Sequence, residues 1–142
     1  MYTPPPSIVK ATLKPPGGNY AVNYVKWTAD GAFAVTCSED RNLYLWNPFR
    51  IDSNDRSFLL KSYTGAHSHG VTGVAIAKSN DAFVSCGGDR DAFVWDVQSG
   101  KVTRRLKKHT QRVNSVDISD DKSIALTGSD DSSVKVWDLR SK

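Results

Sequence analysis

Three stretches of the chain alternate apolar and polar positions in short runs, and they superpose without a gap. They are VNYVKWTADGAFAVTCSEDRNLYLWN (22–47), VTGVAIAKSNDAFVSCGGDRDAFVWD (71–96) and VNSVDISDDKSIALTGSDDSSVKVWD (113–138). Turn chemistry divides each one at matching places: ADG, SND and SDDK first, then SED, GGD and SDD. Runs this short between Gly, Asn, Asp and Ser clusters predict β-strands joined by tight turns. The first strand of each unit alternates (Val25, Trp27; Val74, Ile76; Val116, Ile118). The third strands LYLW and AFVW are nearly continuous in apolar residues, as a sheet covered on both faces requires. A fourth strand is predicted at SFLLKSY (57–63) and KVTRRL (101–106), and the third unit has none.

The first valines stand at 22, 71 and 113, so the periods are 49 and 42 residues. A period near 40–45 residues is that of one four-stranded propeller blade. Four columns are identical in all three units: Val22/Val71/Val113, Val25/Val74/Val116, Asp40/Asp89/Asp131 and Trp46/Trp95/Trp137. Asp and Trp held at a fixed separation in every copy point to a structural role repeated once per blade.

Composition narrows the class. With 39% apolar and 10% aromatic residues in 142, the chain can build a core. No apolar run reaches the length of a membrane span and MYTPPPSIVK lacks the apolar region of a secretory signal, so a cytoplasmic and nuclear location is expected. Cys37 and Cys86 occupy the same column of two units and read as reduced, buried strand residues; no Cys/His cluster has metal-ligand spacing, and neither a metal nor a cofactor is expected. The net charge of +4 is localised: Lys101, Arg104, Arg105, Lys107, Lys108 and Arg112 contain no acid among them, and the remainder has 13 basic against 15 acidic residues. Any nucleic acid would have to meet the segment Lys101–Arg112, which lacks the interleaved aromatics of a base-stacking platform. His, Ser/Thr and Asp together also imitate a hydrolase triad, but the set recurs at blade spacing where an enzyme needs one nucleophile in one pocket.

The motifs resemble those of the WD-repeat β-propeller family over residues 22–138. His67 and His109 stand four residues before their first valine, as the family's Gly-His element does, and two copies end in Trp-Asp. The resemblance implies an all-β fold of three blade repeats of four-stranded antiparallel sheet (22–63, 71–106 and 113–138, the third lacking its outer strand), the chain being a fragment of a seven-bladed ring. It also implies a hydrogen-bonded tetrad in each complete blade, formed by His67, Ser85, Asp89 and Trp95 in the second and by His109, Thr127, Asp131 and Trp137 in the third. The first has Thr36, Asp40 and Trp46 but carries Gly18 where the histidine belongs. Residues 1–21 form an N-terminal segment before the blade region 22–142. Within it, Ile8–Lys14 alternates like the N-terminal strand that clasps the family's final blade, and its exchange between copies would make the chain self-associate.

The resemblance implies that partners often contact one face through the residues flanking the first valine and the residue before the aspartate, which here are Asn23, Glu39, Thr72, Arg112, Asn114 and Asp130. WNPFR, GGDRDAFVWDVQSGKVTRRL and GSDDSSVKVWDLRS are most similar to the mitogen-activated protein kinase organizer subfamily. That likeness implies a non-catalytic scaffold for components of a kinase cascade, with an association with the splicing machinery. Ala125–Arg140 also resembles the box by which some WD-repeat proteins dock onto a cullin-RING ubiquitin ligase adaptor, its Trp-Asp-x-Arg being Trp137, Asp138 and Arg140.

Overall fold

The structure, a computed structural model, describes residues 1–51 and 57–141. Among these residues eleven strands follow one another: β1 (Val22–Trp27), β2 (Ala34–Ser38), β3 (Leu43–Ile51), β4 (Ser57–Tyr63), β5 (Val71–Ile76), β6 (Ala82–Gly87), β7 (Asp91–Asp96), β8 (Val102–Lys107), β9 (Val113–Ile118), β10 (Ile124–Ser129) and β11 (Val134–Asp138). They form three antiparallel meanders, β1-β2-β3-β4, β5-β6-β7-β8 and β9-β10-β11, each a blade. The all-β class and the missing fourth strand of the third unit agree with the sequence. The predicted strand at 101–106 lies one residue later, at 102–107.

The turns explain why the meanders form where they do. After each repeated aspartate comes a residue in the left-handed region: Arg41 (φ 75°), Arg90 (φ 70°) and Ser132 (φ 68°). The amides of Arg41, Arg90 and Ser132 donate back to the carbonyls of Ser38, Gly87 and Ser129. The first hairpin of each blade turns on Gly31, Asn80 or Lys122, at φ of 68°, 60° and 60°. Glycine and asparagine adopt that conformation readily, whereas lysine does so at a cost of about 1 kcal/mol.

Strand parity decides which blade each side chain meets, because successive residues point to opposite faces. In the central blade, Phe83, Phe93 and Trp95 face the first blade and join Val35, Cys37, Leu43 and Tyr63. Val84, Cys86, Ala92 and Val94 face the third and join Val113 and Ala125. Phe83 stacks on Trp95 with centroids 5.8 Å apart, and Tyr63 of β4 closes the cluster edge-on at 4.8 Å from Phe83. Its hydroxyl donates to the Val97 carbonyl across the blade interface at 2.9 Å. Each such aromatic adds about 1.5–3 kcal/mol by burial, and Tyr63, Phe83, Phe93 and Trp95 all lie at this interface.

Covering by neighbours also explains where the pattern is not honoured. The third strand AFVW is buried throughout, but its counterpart in β11 leaves Val134 and Val136 about 70% and 68% exposed, for want of a blade on that face within the chain. At the other end, β1 is exposed along its whole length, and Trp27 stacks on Phe49 at 5.9 Å in the open. Ile8–Lys14 forms no strand here. Ile8 and Val9 are exposed, and the segment pairs with none of the open blade edges, so the alternating run has no ladder to hold it.

Candidate functional site

The repeated residues assemble as one relay per blade. In the central blade the Trp95 indole N–H donates to Ser85 Oγ at 2.8 Å, and His67 Nε2 lies 2.8 Å from the same hydroxyl. His67 Nδ1 lies 2.9 Å from Asp89 Oδ2. A carboxylate only accepts, so the imidazole proton sits on Nδ1, Nε2 accepts from Ser85, and the hydroxyl is free to accept from Trp95. The third blade repeats this. Trp137 donates to Thr127 Oγ1 at 2.8 Å, His109 Nε2 is 2.7 Å from that oxygen, and His109 Nδ1 is 2.7 Å from Asp131 Oδ2. Every member predicted for these two tetrads is brought together.

The aspartates do more than orient an imidazole. Asp89 accepts the Ser68 amide at 3.0 Å and Asp131 the Thr110 amide at 3.1 Å, so each pins the loop that delivers the histidine. Burial pushes the Asp89 carboxyl up, but the hydrogen bond from His67 and those from the amides of Ser68 and Asp91 outweigh it and leave the pKa lowered. Asp131 is held well below the usual carboxylate range, first by the Ser133 hydroxyl and then, against burial, by His109 and the amides of Thr110 and Ser133.

The first blade solves the same problem differently. Trp46 donates to Thr36 Oγ1 at 2.9 Å, but Asp40 takes its hydrogen bond from the Tyr44 hydroxyl at 2.5 Å. Tyr44 is 2% exposed, and burial, reinforced by the hydrogen bond to Asp40, raises its pKa. The loop where the histidine is missing passes so close that a Cβ on Gly17 would lie 2.2 Å from Asp40 Oδ2. Sequence comparison missed Tyr44. The signal available was the column itself, which holds Phe93 in the central blade; there the ring packs edge-on under His67 at 4.7 Å and has no hydroxyl to offer.

The triad-like sets have no room for a substrate. Ser85 is fully buried and Thr127 is 1% exposed, and each oxygen is already engaged by an indole and an imidazole. Among the described residues no three His, Cys, Asp or Glu side chains are grouped as a metal site. Cys37 and Cys86 are free and buried, and burial pushes their thiols up to about 12 and about 11.

The residues flanking the first valines lie together at one end of the blades, and several have structural work. Asn23 Nδ2 donates both to Glu39 Oε2 at 2.8 Å and to the Val71 carbonyl of the next blade at 2.9 Å. Thr72, in the same column, donates to the Val113 carbonyl of the next blade at 2.5 Å. Asn114 is hydrogen-bonded to Asp130 within its own blade, and Arg112 is exposed. At the end of β11, Arg140 Nη2 donates to Asp138 Oδ2 at 3.1 Å, and its amide to Asp138 Oδ1 at 2.9 Å; the guanidinium bond first, and then the amide bond, draws the Asp138 pKa down to about 2.

Meandering blades that pack face to face, each ordered by an indole–hydroxyl–imidazole–carboxylate relay, define a β-propeller of Trp-Asp repeats. The family model described as WD domain, G-beta repeat matches residues 9–47, 57–96 and 100–138, and the chain belongs to this family. Each later match starts at or just before the outer strand of the preceding blade, β4 or β8, which gives residues from 9 onward the same slot in the first match. The chain is 29% identical over 86% of its length to the WD repeat domain-containing protein 83 homolog of Dictyostelium discoideum. It is 31% identical over 77% to the nuclear distribution protein PAC1 of Arthroderma otae, and 30% identical over 86% to the protein groucho of Drosophila melanogaster. It spans 35%, 24% and 16% of those relatives' own lengths.

Proposed function

We propose that the chain is a non-catalytic protein-interaction scaffold that gathers components of a mitogen-activated protein kinase cascade. The observation that carries the scaffold reading is the internal satisfaction of both complete tetrads. The polar groups that could do chemistry are buried and bonded to one another, while Glu39, Arg112, Asn114 and Asp130 are exposed at one end of the blades. A partner that meets a stiff, preformed surface loses less ordering entropy on binding. The kinase-cascade assignment rests on the likeness of WNPFR and of the GGDRD and GSDDS segments to the organizer subfamily, and a location in cytoplasm and nucleus goes with it. Among the alternatives, a splicing subunit needs the same surface. A ligase substrate receptor would have to draw Arg140 away from Asp138, so the geometry favours it less.

The test is affinity capture from the source cell with the chain and with an Arg112→Glu, Asp130→Lys variant. Enrichment of kinase-cascade components that the variant loses is the expected result. Capture of ligase adaptor or splicing proteins in their place, or identical capture by both forms, would reject the assignment.

A further inference from the structure

The outermost strand of the central blade differs from its counterpart in the first. Among the described residues β8 pairs only with β7, so about every second amide and carbonyl along it faces away from the sheet. Val102, Arg105 and Lys107 stand in register with Trp95, Phe93 and Asp91 and share their face. Two grooves open on that face, one on each side of Arg105. One, of roughly 610 Å³, has Phe93 and Trp95 at its base, Thr64–Ala66 as a wall and Lys101 at its rim. The other, of roughly 350 Å³, runs between Ser68 and His69 on one side and Lys107 on the other, past Arg90.

The charges in this place are not balanced internally. Asp91, only 4% exposed, is held by Arg105 through Nε at 2.9 Å and Nη2 at 2.5 Å, and Asp89 belongs to the tetrad. Lys101, Lys107, Lys108 and Arg90 have no carboxylate partner among the described residues. The outer strand of the first blade, SFLLKSY, carries one cation in seven residues. An edge lined with cations repels a second copy of itself and admits a strand of opposite charge.

We propose that β8 and its two grooves are a docking surface for an extended acidic peptide, which adds to the edge of the central blade as a fifth strand. Backbone hydrogen bonds along Val102–Lys107 supply the register. Alternate side chains, the acidic ones, then enter the grooves beside Lys101 and Lys107, while the side chains between them point to the opposite face. A peptide fits better than RNA because Phe93 and Trp95, at 5% and 1% exposed, offer no face for a base to stack on. A phosphodiester backbone, moreover, cannot complete a β-ladder. The surface deepens the scaffold reading by giving one partner a chemistry, and it shares no residue with the variant of the capture experiment.

The experiment titrates the whole chain with a fluorescein-labelled peptide of alternating Glu and Val. A Lys-Val peptide and oligouridylate of similar length serve as controls. The Glu-Val peptide should bind and the Lys-Val peptide should not. Lys101→Glu with Lys107→Glu, two exposed side chains, should weaken binding about tenfold or more. Amide exchange from Val102 to Lys107 should slow when the peptide is present. No binding, equal binding of the Lys-Val peptide, stronger binding of the RNA, or unchanged exchange in β8 each overturns the proposal. Exchange on the unaltered chain decides the matter if the double variant proves unstable.

Discussion

The Tyr44 hydroxyl donates to Asp40 at 2.5 Å in the one blade that has no histidine to do so. Phe93 fills the same column where His67 is present, so the hydroxyl is the difference between a ring that supports a relay and a ring that replaces it. Tyr44→Phe should therefore leave the packing intact and orphan one oxygen of Asp40, at a cost of about 1–3 kcal/mol. Phe93→Tyr, in contrast, would bring a second hydroxyl against a satisfied tetrad and gain nothing. Thermal melts of both variants check this, and a Tyr44→Phe protein that melts with the original chain would show that Asp40 has another partner.

Ser85 is the hinge of the central relay because its one oxygen both accepts from Trp95 and donates to His67. Ser85→Ala strands an indole N–H and an imidazole nitrogen together, for a loss of about 2–4 kcal/mol. His67→Ala removes the histidine but leaves the hydroxyl bonded to the indole. Since the two residues share a network, their effects should fall short of additivity by about 0.5–3 kcal/mol in a double-mutant cycle. Denaturant unfolding of the four proteins measures the term. Strict additivity would mean that the bonds act independently.

The blades and both complete tetrads were legible because they repeat, and a column that keeps Asp or Trp in every copy needs no knowledge of neighbours. What stayed hidden depends on contacts between copies. Asn23 and Thr72 read as exposed flanking residues, yet both donate to the first valine's carbonyl in the next blade, a register that only packing sets. VKVW in β11 has the alternation of a covered strand and is open, since coverage is supplied from outside the repeat. Ile8–Lys14 likewise has a strand's pattern and pairs with no strand. Tyr44 was invisible because its meaning comes from an absence four residues before Val22.

Asn80 ties two blades at a hairpin tip. It sits at φ 60°, and its Oδ1 accepts the Ala29 amide of the first blade at 2.8 Å. Two substitutions separate these roles. Asn80→Gly keeps the backbone relaxed and loses only the inter-blade acceptor, about 0.5–1.5 kcal/mol. Asn80→Ala loses the acceptor and adds roughly 1 kcal/mol of left-handed strain. Alanine should thus melt lower than glycine, and glycine lower than the original. Equal melting of all three would remove both the strain and the bridge from the account.

Asp131 should make the third blade sensitive to acid, in a direction that its partners fix. Its carboxylate accepts from His109, from the amides of Thr110 and Ser133, and from the Ser133 hydroxyl, and these hold its pKa below the ordinary value of 3.8. In the unfolded chain the group returns to that ordinary value. As the pH falls below 3.8 the unfolded state takes up a proton that the folded state still refuses, so unfolding gains and stability drops. Above about pH 5 the contribution is fully present. Asp89, lowered in the same direction, adds to the same window. Asp131→Asn keeps the shape but replaces an acceptor oxygen with a donor NH2 that faces other donors. It should melt lower at neutral pH and show a shallower fall between pH 5 and pH 2, with Asp89→Asn added to it flattening the curve further. Circular dichroism melts across that range give the slopes. Parallel acid limbs for the variant and the original chain would mean that the proton uptake belongs to other carboxylates and that the tetrads do not set the acid stability.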